Sequence, residues 1–348
     1  MKLIQFAFAI ITGVIVFNAC TTDFDINGDY KETTVVYGIL DPTEQYQYIR
    51  INRAFLGEGN ALQFAQIPDS SNYPYILDVI IQGINSSGQV VSTSLSTDTI
   101  WVYKESDVFY SGYQPIYRIK MPFVKMELND SVFLDDAYTY KLRIVNPITG
   151  NVIESTTPVI NAFTIDKPIY NYLNPRINFG PDASANIEWE SPVNGKRFEV
   201  KFIFTYYELY DSNPTDTITK TMTWNVGTIT SSDLFGGEEM LMSYNNHDFY
   251  YLLGAQLEER NDVERRPGIV ELNVTVGTDE LNTYININNT SSSIIQERPQ
   301  FTNISNGMGI FTSRFEISRT YKLNSTAVDT LMFGQYTKNL SFEQYWNN

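Results

Sequence analysis

The residue with the clearest chemistry is Cys20, the only cysteine in the chain. A lone thiol forms no intrachain disulfide, and this one stands where an apolar leader ends. Lys2 gives the leader a positive start, residues 3–17 are almost all apolar, and the small residue Ala19 precedes the cysteine. We therefore predict that residues 1–19 are a lipoprotein signal peptide and that Cys20 is the lipid attachment site.

Two other interpretations of the leader stay open, namely an ordinary signal peptide that leaves a free thiol and an uncleaved membrane anchor. A helix of about 15 residues rises only about 22 Å, whereas the apolar core of a bilayer is about 30 Å thick. Spanning is therefore the weaker interpretation. Several acyl chains on Cys20 would hold the mature chain stably on a membrane.

Residues 20–32 form an acidic tether. Its start, Thr21-Thr22-Asp23-Phe24-Asp25, is similar to the signal that exports lipoproteins of Bacteroidetes to the cell surface, although any linker needs polar residues. The run Asp23–Gly28 also resembles the opening of a calcium loop. The twelfth position of such a loop should be Glu, but here it is Thr34, so we predict no metal. The predicted location is the outer membrane, facing the exterior.

The inventory of catalytic side chains is short. His247 is the only histidine, so a zinc or copper site lacks ligands, and a Ser-His-Asp or Cys-His arrangement would have to use His247. No G-x-S-x-G elbow occurs. We predict His247 on the surface in the first turn of a helix, and we predict no catalytic residue, no metal and no cofactor.

Paired carboxylates are the one catalytic device that the inventory leaves open. A glycosidase needs two of them within roughly 5–10 Å, at no fixed sequence spacing. Glu188 and Glu190 flank Trp189 on one predicted strand and share one face. Two carboxylates on an exposed strand are usually solubilising, so a carboxylate-dependent, glycosidase-like envelope hydrolase is the alternative function and a non-enzyme the preferred one.

Two further motifs concern sugars. The pairs Tyr206-Tyr207 and Tyr250-Tyr251 could stack on a glycan if three or more aromatic rings were exposed on one face, but half-buried strands favour tyrosine in any case. Four Asp-Ser/Thr-apolar tripeptides match a bacterial O-glycosylation pattern, and each also reads as a turn before a strand. The predicted acceptors are Thr99, Ser131, Thr217 and Thr330.

The charge balance limits the partners. The chain has 24 Lys and Arg against 40 Asp and Glu, a net charge of −16. This charge opposes binding to nucleic acid, which we exclude, and to anionic lipid headgroups. With 43% hydrophobic and 18% charged residues, the composition is that of an ordinary globular protein.

Short runs of β-branched and aromatic residues between turns predict an all-β chain of two β-sandwich domains, immunoglobulin- or fibronectin III-like. The predicted parts are an N-terminal sandwich at 33–160, a linker at 161–184 and a fibronectin III-like domain at 185–348 with one short helix near 247–260.

Several local features follow from the same pattern. Thr34–Leu40 and Tyr46–Arg53 should form a hairpin, and another should turn at Asn194-Gly195. We also predict a strand at Thr283–Asn288 and a final helical turn capped by Ser341.

Three segments together resemble a family of uncharacterised two-domain Bacteroidetes outer-membrane lipoproteins. They are residues 35–40 with 48–53, residues 138–144, and the segment 299–311, which contains Asn306-Gly307-Met308-Gly309-Ile310-Phe311. The resemblance covers most of the mature chain. It implies the two-domain architecture and an association with outer-membrane transport or secretion machinery, and it brings no catalytic residues.

These observations predict a lipid-anchored outer-membrane surface protein that acts by binding. Its expected partners are the membrane, through the lipid on Cys20, and either an outer-membrane transport, secretion or assembly complex or a surface ligand such as a glycan.

Overall fold

The computed structural model describes residues 33–54, 63, 65–105, 110–128, 130–180, 183–289 and 300–346. The predicted signal peptide, the acidic tether and Cys20 lie outside the described residues. Strands make up 51% of the structure and helices 13%, which confirms the predicted all-β, multi-sheet class.

The strands follow one another along the chain with short connections. They are β1 Thr34–Leu40, β2 Tyr46–Arg53, β3 Asp78–Ile84, β4 Val90–Thr93, β5 Ser96–Lys104, β6 Gly112–Lys120, β7 Lys125–Glu127, β8 Asp130–Val132, β9 Thr139–Val145, β10 Val152–Pro158, β11 Ile165–Lys167, β12 Arg176–Ile177, β13 Ser184–Glu190, β14 Arg197–Tyr210, β15 Asn213–Thr230, β16 Glu239–Asn245, β17 Val263–Gly277 and β18 Gly307–Leu323. The helices in the described part of the chain are α1 Pro68–Ser71, α2 Asn246–Gln256, α3 Asp279–Asn289 and α4 Ser325–Phe333.

The largest sheet holds nine strands in the order β15-β14-β17-β18-β1-β2-β6-β5, with β12 beside β18. β1 and β18 pair in parallel, with Thr34 opposite Gly307 and Leu40 opposite Ser313. Because β1 comes early in the chain and β18 late, this pairing joins the two halves in one sheet. The smaller sheets of the described residues are β10-β9-β3-β4, β11-β13-β16 and β7-β8.

Two hydrophobic clusters fill the spaces between the sheets. One packs β1, β2 and β6 against β3, β9 and β10, and it includes Ile49, Leu142 and Phe311. The other packs β14, β15 and β17 against β13, β16, α2 and α4 around Trp189. The division into two domains with a linker at 161–184 stays a prediction.

Of the two hairpins predicted from the sequence, one is confirmed and one is wrong. β1 and β2 form the predicted hairpin, and β9 and β10 form another. The hairpin predicted at Asn194-Gly195 is wrong, because β13 pairs with β11 and β16 while β14 lies in the large sheet. Asn194 does have a positive φ of 65°, but its turn carries the chain from one sheet to the other across the core.

The predicted helix near 247–260 is present as α2, slightly earlier and shorter. Asn245 caps it by accepting a hydrogen bond from the backbone N–H of His247 at 3.1 Å. Tyr250 belongs to its buried face, and Gln256 at its end is exposed. Within the described residues no helix is both long and apolar enough to cross a bilayer.

Two further predictions about helices were wrong. Thr283–Asn288, expected as a strand, lies in α3, whose first turn carries Asp279; negative charge there stabilises a helix start. The final turn expected after Ser341 is absent. Instead Asn324 caps α4, with its side-chain oxygen accepting from the N–H of Ala327 at 2.9 Å.

Buried tyrosines make the free energy of unfolding depend on pH in the alkaline range. Burial raises the pKa of Tyr140, Tyr244 and Tyr250 well above the usual 10, and it raises the pKa of Tyr321 to about 12. The folded chain therefore holds these protons to a higher pH than the unfolded chain. Their contribution is complete below pH 10 and is lost as the pH rises from 10 through 12.

We expect Tyr321 alone to cost about 1.4 kcal/mol of unfolding free energy between pH 8 and pH 11, about half of the full loss of about 2.7 kcal/mol that is reached above pH 12. Urea unfolding at about pH 8 and pH 11 measures the loss. A Tyr321→Phe variant should lose less than the unaltered chain over this interval. Equal losses in the two proteins would contradict the assignment to Tyr321.

Candidate binding site

The predicted O-glycosylation acceptors occupy four different settings. Thr217 is exposed in β15. Thr99 is half-buried inside β5, and Ser131 is half-buried in β8. Thr330 is half-buried in α4, where its hydroxyl donates to a backbone carbonyl, so the expected turn before a strand is wrong at this site. Of the four acceptors, Thr217 is the one that a modifying enzyme would reach most readily.

The sequence-predicted carboxylate pair does not form a catalytic arrangement. The Lys167 ammonium lies 2.8 Å from the Glu188 carboxylate, and this ion pair holds the pKa of Glu188 below its usual range. Glu190 is exposed at the end of β13. Both lie on the face opposite Trp189, which is buried in the core.

A cleft of about 420 Å³ between the two halves gathers four other carboxylates, including that of Asp130. Most of them have partners. The Lys125 ammonium lies 3.2 Å from Glu127 and 3.0 Å from Asp136, and Glu316 accepts a hydroxyl hydrogen bond from β17 at 2.6 Å. The described residues contain no group of three or more His, Cys, Asp or Glu that could hold a metal ion.

His247 and the tyrosine pairs serve local structure. The His247 imidazole lies on the half-exposed start of α2, with Nε2 2.8 Å from the hydroxyl of Tyr336. Tyr206 and Tyr250 are buried, so neither tyrosine pair offers two exposed rings. Any aromatic platform for a sugar would therefore be formed by residues other than these two pairs.

One exposed sheet surface is rich in cations and tyrosines. Along β1 and β2 the side chains alternate, so Val36 and Ile49 are fully buried while Tyr37 and Tyr48 are 40% and 49% exposed. We call this surface the cationic face. It is formed by β1, β2, β6 and β5 and includes Tyr37, Tyr46, Tyr48, Arg50, Lys104, Arg118 and Lys120.

Near its centre, Arg118 forms a two-point ion pair with Asp98, with distances of 2.9 and 2.6 Å. The guanidinium group beside Asp98 holds the pKa of that carboxyl below its usual range. The Arg118 guanidinium and the Lys120 ammonium lie 5.1 and 5.8 Å from the centre of the Tyr46 ring, within the range of cation–π attraction.

A groove of about 610 Å³ lies at one end of the cationic face, and this volume is typical of ligand sites. Strands β1, β2, β5 and β6 and the end of α1 supply its wall. The groove is lined by Val35, Tyr37, Arg50, Asn52, Arg53, Ala54, Ser71, Lys104, Tyr110 and Gln114.

Hydrogen bonds hold two guanidinium groups in the wall of this groove. Arg50 Nε donates to Asn52 Oδ1 at 2.7 Å, and Asn52 Nδ2 donates to the carbonyl of Ser71 at 3.1 Å. Arg53 donates to the backbone carbonyl of Asp69. Among the described residues, no carboxylate oxygen lies within 4.0 Å of a charged nitrogen of either arginine.

The groups in the groove define the ligand chemistry that they favour. Arg50 keeps two terminal nitrogens for a carboxylate or sulfate, which a guanidinium binds in a two-point geometry. The amide of Gln114 can bond hydroxyl groups, and the tyrosine rings can pack on the apolar face of a sugar. This combination suits an anionic glycan.

The sequence carried a partial signal for this site. In Tyr46-Gln47-Tyr48-Ile49-Arg50-Ile51-Asn52 the outward positions are two tyrosines, an arginine and an asparagine. Sequence reasoning identified the alternation as a half-buried strand but not the composition of its outer side. The contributions of β1, β5, β6 and α1 carry no such signal, because the fold alone brings them together.

Comparison with known proteins gives no assignment. No protein-family model and no curated protein matches the sequence. Among solved structures, the C-terminal globular domain of an oligosaccharyltransferase from Pyrococcus abyssi is 9% identical, with a TM-score of 0.20, and the alignment covers 86% of this chain and 51% of that chain. A Bacteroides uniformis β-glucuronidase is 8% identical, with a TM-score of 0.13 and coverages of 84% and 27%. The chain thus spans about half or less of these proteins, and such TM-scores support no inference.

Proposed function

We propose that this chain is a lipid-anchored protein of the bacterial outer membrane that binds an anionic glycan in the groove of the cationic face and breaks no bond in it. The observation that supports the ligand is the pair of arginines, Arg50 and Arg53, which have no carboxylate partner among the described residues and lie in a groove that also offers an amide and tyrosines.

The net negative charge of the whole chain makes the local positive charge at this groove significant for binding an anion. A protein with a net charge of −16 repels polyanions, so scattered surface lysines cannot explain binding to one. Any retention of a polyanion must therefore come from a local concentration of positive charge. Among the described residues, the cationic face presents Arg50, Lys104, Arg118 and Lys120 and one carboxylate, Asp98, which pairs with Arg118.

The location is supported by the sequence. The leader, the cysteine at its end and the acidic tether fit a lipoprotein exported to the exterior, as does the resemblance to Bacteroidetes outer-membrane lipoproteins. In that place a glycan is an available ligand. A transport or secretion complex would be the natural recipient of what the groove binds.

Affinity electrophoresis of the full chain in detergent tests the proposal. We expect polygalacturonate in the gel to retard the chain and neutral dextran to leave its migration unchanged. Arg50→Glu should weaken retention at least about tenfold, because a charge-assisted hydrogen bond contributes about 1.5–3 kcal/mol. Lys220→Glu, an equal charge change at an exposed position of β15, is the matched control and should bind normally.

Two results would contradict this function. Equal loss of retention in the Arg50 and Lys220 variants would show that only net charge matters. Shortening of the polygalacturonate during incubation would favour the carboxylate-dependent hydrolase instead.

A further inference from the structure

A short loop between β11 and β12, residues 168–175, exposes large apolar side chains. Ile169 is 81% exposed, Tyr172 is 79% exposed and Leu173 is 97% exposed. We call this segment the apolar loop. Side chains of this kind are seldom presented together to water without a purpose, because their exposure forgoes burial in the core.

The apolar loop is held in place from beneath. The ring of Tyr170 packs edge-on against the buried Tyr321 with centroids 5.4 Å apart, and the Tyr321 hydroxyl donates to the carbonyl of Pro168 at 3.2 Å. At the tip, the side chain of Asn171 accepts from the N–H of Leu173 at 3.1 Å. The exposed side chains therefore project from a braced turn.

Cations surround the base of the apolar loop. The Arg319 guanidinium lies 4.8 Å from the Tyr170 ring centre, and Arg176 and Lys322 both lie over the ring of Tyr345. In the described part of the chain none of these three cations forms an ion pair with a carboxylate. Lys167, the last residue of β11 just before the apolar loop, is paired with the carboxylate of Glu188 in β13.

We infer that the apolar loop inserts into an anionic lipid surface, with Ile169, Tyr172 and Leu173 among the lipid chains and the surrounding cations at the headgroups. A projecting apolar tip suits a bilayer, whereas partner proteins more often insert into grooves. Tyrosine favours the membrane interface, and lysine and arginine near it are attracted to anionic headgroups. The net negative charge opposes this contact, so the local cations are needed.

The position of the apolar loop gives the insertion a consequence. This inference rests on the membrane anchoring in the proposed function. The tether enters β1 at Thr34, opposite Gly307 at the start of β18, whereas the apolar loop adjoins Lys322 near the end of β18. These points are about 50 Å apart along the strand. Because the tether of residues 20–32 can span up to roughly 45 Å when extended, the lipid on Cys20 and the apolar loop can reach the same bilayer.

Fluorescence of a labelled cysteine tests the insertion. The full chain with Leu173→Cys carries an environment-sensitive dye and is reconstituted in vesicles of phosphatidylcholine mixed with phosphatidylglycerol. We expect brominated acyl chains to quench the dye at least about twofold, because interfacial insertion reaches about 5–10 Å into the headgroup and acyl boundary. Ser87→Cys, in an exposed turn between β3 and β4, is the control and should not be quenched.

A second change makes the test specific. Adding Ile169→Asp to the Leu173→Cys chain should abolish the quenching, because a charged side chain opposes insertion into the lipid. The Ile169 side chain is exposed, so its replacement leaves the core intact. A dye at position 173 that behaves like the dye at position 87 would overturn the inference. The unaltered chain is treated with the same dye in parallel, so that labelling of Cys20 reveals a failed lipid anchor separately from a failed insertion.

Discussion

Replacing Gly309 with alanine should destabilise the folded chain by at least about 3 kcal/mol, since forced backbone conformations and backbone clashes are among the most costly single changes. Gly309 lies inside β18 with a φ of 105°, a conformation that glycine adopts far more readily than other residues. An added Cβ would overlap the carbonyl oxygen of Val36 in β1 and approach its carbonyl carbon to 2.9 Å. Relief requires β1 and β18 to separate.

The control for this variant is Gly150→Ala. Gly150 also has a positive φ, 73°, but nothing lies within 4 Å of the position that a Cβ would occupy. Its replacement should cost only about 1–2 kcal/mol for the left-handed backbone. Urea unfolding of both variants measures the difference. Similar losses would mean that the β1–β18 contact tolerates an extra atom and that this pairing is weaker than the structure indicates.

Gly309 also shows how much of the fold the sequence could predict. Gly307 and Gly309, from the segment 299–311, lie within β18 where the backbone of β1 approaches closely, and Phe311 is buried in the core. A parallel pairing with β1, more than 260 residues earlier in the chain, leaves no local pattern in either strand.

Where the signal was local, the sequence sufficed. The strand at Tyr46–Arg53 was predicted with its observed bounds, because its side chains alternate between core and surface. Thr283–Asn288 failed for the opposite reason. Its β-branched residues favour a strand only weakly, and the acidic first turn and the packing of α3 against β14 and β18 favour a helix.

The candidate site was less predictable than the fold. A binding groove needs side chains from several strands, and each strand alone reads as ordinary sheet. Arg50 and Asn52 were visible as outward positions of β2, but nothing in the sequence places Lys104 or Tyr110 beside them. The apolar loop was hidden in the same way, since prolines and asparagines around Ile169 and Leu173 indicated only a linker.

Replacing Arg265 with methionine should destabilise the chain by about 3–5 kcal/mol, the cost of leaving a buried charge without its partner. Arg265 and Glu208 are almost fully buried, and Arg265 Nε donates to the Glu208 carboxylate at 2.9 Å. A terminal nitrogen of Arg265 also donates to the carbonyl of Leu340 at 2.8 Å. The variant would therefore remove a hydrogen bond to the C-terminal segment and also leave the Glu208 carboxylate without its charged partner.

A nearby exposed ion pair provides the comparison. Arg260 and Asp262 form a two-point pair at 2.9 and 2.7 Å, but both are open to solvent, so Asp262→Asn should leave urea unfolding essentially unchanged. Adding Glu208→Leu to the Arg265→Met chain should recover part of the loss, because the unpaired carboxylate is then gone. If Arg265→Met cost no more than Asp262→Asn, or if the second change recovered nothing, burial of the charge would not be the cause. The hydrogen bonds to the C-terminal segment would then account for whatever loss is measured.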